Sequence, residues 1–204
     1  MRIDHVALAV PDLDAAARAL LEAHGLASTP TSPQPEWGTA HRRVPLGGGF
    51  LELVSVAHPE IAEKSPVGRR VARCASTRSL AFWAVRPEAL GPVASRLGLT
   101  VGEGERHRND GTAYSWQVAG VDIAVEYGLP FFIHWLASGS LPHRLPVEHE
   151  ARPEGFAWIE VGGDLERLAD WLGPADLPLR RGHDARPLVR CALRTDRGEI
   201  VLGG

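Results

Sequence analysis

A chain of 204 residues is long enough for one sizeable domain or two small ones. Hydrophobic residues make up 44% and charged residues 23%, which suits a globular protein, and no apolar run reaches the ~18 residues that a membrane-spanning helix needs. The net charge of −3, with arginines scattered except at Arg42–Arg43, Arg69–Arg70 and Arg180–Arg181, gives no electrostatic reason to expect nucleic acid as a partner.

No charged n-region followed by an apolar h-region opens the chain, so no secretory signal is expected. Cys74 and Cys191 are far apart and lack metal-site spacing, which makes a reducing cytoplasm the default expectation. Residues 2–10 alternate as a strand, with Val6, Leu8 and Val10 on one face and His5, Ala7 and Ala9 on the other. Pro11 ends that strand. Asp12 then caps a helix over DLDAAARALLEAH, and Gly25 closes it. After the Pro/Ser/Thr loop at 27–36 come two strands, TAHRRVPL and FLELVSV, joined by a turn at Gly47–Gly49.

The pattern recurs. SLAFWAV (79–85) reads as a strand and RPEALGPVASRLGL as a helix. A hairpin is expected around Asn109-Asp110-Gly111, followed by the strands TAYSWQV, VDIAVEY and FFIHWL. Residues 142–154 read as a Pro/His-rich linker. A third round follows, with GFAWIEV as strand, DLERLADWLG as helix, and LPLRRG, PLVRCALRT and GEIVLGG as strands. The expected class is α+β, in three units at 1–57, 77–136 and 155–204, the third partial.

The stretches DHVALAVPDLDAA, WGTAHRRVPLGGGFLELVSV and GLPFFIHW resemble the vicinal oxygen chelate superfamily, in particular its glyoxalase-like branch. The resemblance covers residues 2–136 and implies repeated βαβββ modules that curl into a half-open barrel around a pocket, with the helices outside. It further implies a divalent metal in that cup, held by inward side chains of the first and last strands of paired modules. His5, Glu52 and His134 stand at such positions. Two histidines and a carboxylate with open positions suit Fe, Mn, Zn or Ni and a bidentate substrate oxygen pair. The counterpart of His5 in the second unit falls near Leu80 or Ala81, neither of which binds metal, so a fourth protein ligand is missing.

The residues also allow a plainer reading, in which Glu52 pairs with Arg43 or hydrogen-bonds His5 in a metal-free pocket, because buried polar groups find partners. Glu52 and His41 are the candidates for acid–base work. Trp37, Arg43, Trp83, Trp116 and Phe132 are the candidate pocket walls, and Arg106 and Arg108, in a hairpin that reads first as a solvated turn, are alternatively placed to meet an anionic substrate at the pocket mouth. His143, Glu148, His149 and Glu150 match no helical metal motif and read as linker. No GxSxG, P-loop, GxGxxG or CxxC occurs, so no nucleotide cofactor is expected. Two functions remain open: a metal-dependent lyase, isomerase or dioxygenase, and a metal-free small-ligand or drug-binding protein on the same fold. The expected partner is a small molecule, with the cup completed either within one chain or by a homodimer.

Overall fold

The computed structural model describes residues 1–31, 34–107, 113–136, 141–183 and 185–204. The first strand, β1 (Arg2–Ala9), leads into α1 (Leu13–His24). The Asp12 carboxylate accepts from the N–H groups of Asp14 and Ala15, and Gly25 ends the helix in a left-handed cap at φ 65°. Three strands complete the first module: β2 (Thr29–Pro30), β3 (Thr39–Pro45) and β4 (Phe50–Val56). Two helices then connect it to the second module, α2 (Pro59–Ala62) and α3 (Pro66–Ala75). The second module runs β5 (Leu80–Arg86), α4 (Leu90–Leu97), β6 (Val101–His107), β7 (Ala113–Ala119), α5 (Val121–Tyr127) and β8 (Phe131–Trp135).

These strands form one eight-stranded sheet in the order β2-β3-β4-β1-β5-β8-β7-β6. Each module lays its last strand parallel to its first, β4 on β1 and β8 on β5, and the two first strands meet antiparallel at the centre. The wiring is that of paired βαβββ modules, and the expected α+β half-barrel is what the sheet forms. Its inner face is the cup.

The stretch VDIAVEY, expected as a strand, is α5. Gly120 and Gly128 bracket it in left-handed conformations, and the buried Ala124 and Val125 follow Val121 at helical spacing. A short apolar run carries both periods, and the flanking glycines decided between them. Helix α3 lies against β4, β1 and β5. Its buried Val67, Val71 and Cys74 join the same core as Ala9 and Val54. Because α1 covers the other side of β4, α3 closes one end of the cup.

The third unit has β9 (Pro153–Val161), α6 (Leu165–Leu172), β10 (Leu179–Arg181), β11 (Leu188–Thr195) and β12 (Gly198–Gly203). Its element order repeats that of a module, but its wiring does not. Here the first strand is flanked by the second, parallel, and the third, antiparallel, in a separate sheet β10-β9-β11-β12. This unit packs on the outer face of the large sheet. Trp171 stacks on Phe132 at 5.6 Å between ring centroids and donates its indole N–H to the Pro130 carbonyl at 2.7 Å. Ile159, Val161 and Cys191 share a core with Trp83 and Val85, and Leu193 packs with Leu51 and Leu53. Both Cys74 and Cys191 are free and buried. Among the described residues, no helix is long and apolar enough to cross a membrane.

Candidate active site

Pairing between the strands fixes which side chains enter the cup. His5 sits opposite Phe50, and Ala7 opposite Glu52. Arg43 sits opposite Glu52, and His41 opposite Val54. In a sheet, directly opposed residues point to the same face. From the second module, Phe82 of β5, Phe131, Ile133 and Trp135 of β8, and Trp116 and Val118 of β7 line the same space. Together they enclose a cavity of about 210 Å³, with Gln34, Glu36, Trp37 and Glu103 also on its walls.

At the floor, a bulge interrupts the β1–β5 register between Ile3 and His5. Strict alternation would send Asp4 and His5 to opposite faces, and the extra residue relaxes it. The Asp4 carboxylate reaches its neighbour, with Oδ1 2.9 Å from His5 Nδ1. Trp135 donates its indole N–H to Asp4 Oδ2 at 3.0 Å, and Arg86 Nε lies 3.4 Å from the same oxygen. Burial alone would raise the Asp4 pKa, but His5, Arg86 and Trp135 together hold it below the usual carboxylate value. An ionised Asp4 accepts only, so His5 Nδ1 carries the proton and Nε2 is the nitrogen left for the cavity. The His5 ring is clamped by Phe50, stacked at 4.6 Å, and by Phe131, edge-on at 5.3 Å.

Beside it lies a second charged group. Glu52 Oε1 is 3.2 Å from His41 Nδ1 and 3.8 Å from Arg43 Nε. His41 is fixed from behind by Thr39 Oγ1, 2.8 Å from Nε2. Burial pushes the Glu52 pKa up, but His41 above all, then His5 and Arg43, overcome this and bring it to about 2. Arg43 donates to the Tyr114 hydroxyl at 3.0 Å and lies between the Phe50 and Tyr114 rings, 5.2 and 5.5 Å from their centroids. Tyr114, Trp116 and Trp135 form an aromatic wall with centroids 5.7–5.8 Å apart.

The structure brings together His5, Glu52, Arg43, Trp37 and Trp116 around the cavity, with His41 directly behind Glu52. Three expected residues lie elsewhere. Trp83 pairs with Val6 on the outer face and is fully buried there. Phe132 and His134 alternate with the cavity-lining Phe131, Ile133 and Trp135, so they too face outward. Alternation sorts a strand into two faces without saying which is the inside. Only the pairing of Ala84 with Phe131 and of Val85 with Phe132 resolves it. Arg108 and the side chain of Arg106 lie outside the described residues. Asp4, Tyr114 and Trp135 are site residues that pattern reading passes over. A carboxylate inside RIDHVALAV was the available signal for Asp4, since a buried charge requires a partner.

The glyoxalase-like domain profile matches residues 3–175. The chain belongs to the glyoxalase-like domain family. This is the branch of the vicinal oxygen chelate superfamily that the sequence resembles. No functionally curated protein matches the chain. A hypothetical protein from Staphylococcus aureus superposes with a TM-score of 0.66 at 14% identity, over 98% of this chain and 84% of that one. A Streptomyces coelicolor methylmalonyl-CoA epimerase (S115T), solved with 2-nitronate-propionyl-CoA, gives 0.46 at 20% identity, over 68% and 96%. The Mycobacterium tuberculosis methylmalonyl-CoA epimerase gives 0.43 at 18%, over 65% and 85%. At these identities the likeness is one of fold.

The divalent metal implied by the superfamily does not fit these residues. Of the expected ligands, His5 and Glu52 reach the cup and His134 points away from it. The second module contributes Phe82, Phe131 and Ile133 where ligands would be required. Glu52 is already engaged by His41 and Arg43, and a guanidinium beside the would-be site opposes a dication. Among the described residues, no three His, Cys, Asp or Glu side chains are grouped to hold a metal ion.

Proposed function

We propose that the cup is an acid–base site for a small molecule and works through its own side chains, not through a divalent metal. His5 Nε2 takes a proton from a carbon next to a carbonyl. The electron pair moves onto the carbonyl oxygen, where the Arg43 guanidinium offsets the new charge. The proton then returns from His5 to a different atom on the same face, giving an isomerisation. The observation that carries this reading is the buried Asp4–His5 pair at 2.9 Å, which fixes one tautomer of an imidazole lining a cavity. Glu52 is the fixed negative charge that holds His41 and Arg43 in place. Both modules of one chain wall the cup, so the reading requires no second copy.

The test is hydrogen–deuterium exchange in D2O, followed by NMR, with a panel of acyclic ketones, 2-oxo acids, aryl ketones and acyl thioesters. His5→Gln is expected to slow exchange by about 10²–10⁴-fold, the usual contribution of a positioned general base. EDTA is expected to leave exchange unchanged. Loss of exchange with EDTA, or exchange untouched by His5→Gln, overturns the proposal. The predominantly apolar lining favours one second reading, a metal-free ligand-binding protein. That reading predicts a ligand-induced rise in melting temperature with no exchange at all.

A further inference from the structure

We infer that the ligand of this cup is a planar ring compound that carries a keto, enol or phenol oxygen at its buried end and no anionic group, with a neutral or amine-bearing end at the mouth. The inference rests on the acid–base reading for the fate of that oxygen, while the shape and charge of the ligand follow from the walls.

The size comes first. A cavity of about 210 Å³ exceeds the ~150 Å³ that admits a benzene ring, so one ring with a short substituent fills it. Flat rings line it: Trp37, Trp116, Trp135, Phe82 and Phe131. Such surfaces gain most from a stacked or edge-on ring. The oxygen is assigned by one acceptor and one donor at the floor. His5 Nε2 is free of Asp4, and Arg43 Nε is buried with no hydrogen-bond partner, its nearest carboxylate oxygen being 3.8 Å away. An enol or phenol hydroxyl there donates to His5 Nε2, and a keto oxygen lies beside the positive guanidinium of Arg43, which lines the same cavity.

Charge decides the rest. Among the described residues, the acidic side chains lining the cavity are Glu36, Glu52 and Glu103, against the guanidinium of Arg43. Arg43 and Glu52 lie deep and balance one another in net charge, which leaves the exposed Glu36 and Glu103, among the described residues, as the field met at the mouth by an entering ligand. A carboxylate or phosphate group is repelled there, and an ammonium group is attracted and finds aromatic faces beside it.

A matched series isolates these terms: 4-methylacetophenone, 4-(aminomethyl)acetophenone and 4-carboxyacetophenone, with propionyl-CoA as an anionic comparison. Quenching of tryptophan fluorescence reads binding. The amine is expected to bind at least as tightly as the methyl compound, and the carboxylate more weakly than both. The double variant Glu36→Gln/Glu103→Gln is expected to shift the amine-to-carboxylate preference by about two- to fivefold toward the carboxylate, the scale of exposed charges. Trp116→Ala is expected to weaken all three ring compounds by up to about tenfold. Equal or tighter binding of the carboxylate or of propionyl-CoA overturns the inference, and so does the absence of binding by all three rings. If the order holds but no member exchanges its methyl-ketone protons in D2O, the acid–base reading fails and the ligand class stands.

Discussion

At the scale of single residues, Glu52 carries the largest electrostatic consequence. Its pKa falls from 4.5 to about 2 in the folded protein. A depressed folded value means that the ionised form stabilises the fold fully above about pH 4.5, and that this stability is lost as pH falls from there through about 2. The whole effect amounts to about 3 kcal/mol. Urea unfolding at pH 6 and pH 3 is expected to show part of this loss in the wild type and to lack that component in Glu52→Gln. The same substitution is expected to cost about 3–5 kcal/mol at pH 7, because it leaves the buried Arg43 without its counter-charge. Module one of the site was legible in the sequence at this scale. Period two puts His41 and Arg43 on one face of their strand, and the family resemblance turned His5 and Glu52 toward the cup. Asp4 was not legible, because it reaches His5 through a bulge, and a bulge is a property of two paired strands.

At the scale of elements, two glycines set the cavity wall. A Cβ at Gly68 would lie 2.5 Å from the Ala62 backbone and 2.6 Å from the Trp37 carbonyl. Gly68→Ala is therefore expected to push α3 away from the Trp37 turn at a cost of about 1–3 kcal/mol, read by chemical denaturation. Gly104 pairs with Trp116 across β6 and β7, and a Cβ there would lie 2.4 Å from the indole ring. Gly104→Ala is expected to tilt Trp116 into the cavity and weaken ligand binding more than it lowers stability, which titration and thermal melting together resolve. Helix existence was readable where caps are local, as at Asp12 and Gly25. It was not readable for VDIAVEY, where seven residues between glycines suit a strand or a helix equally.

At the scale of the whole molecule, the third unit acts as the outer layer of the fold. Trp83, Phe132 and Leu51 are fully buried, and residues of β9, α6 and β11 share their core clusters. Phe132→Ala is expected to cost about 3–5 kcal/mol while leaving His5 chemistry intact, because its ring meets Trp171 and not the cavity. A chain cut after residue 152 is expected to lose cooperative melting and to bind a hydrophobic dye, since it bares that face. The local signals of the chain determined its α+β class and recurring units, because caps and period-two alternation are written in neighbouring residues, while the inward placement of His5 and Glu52 came from the family resemblance. Tertiary pairing alone decided the face of β8, which turned His134 and Phe132 outward and Trp135 inward. It also decided the strand order of the third unit, which elements of the same sequence order can adopt in more than one way. Both choices depend on which strands meet, and that is set by burial of whole faces, not by any run of residues.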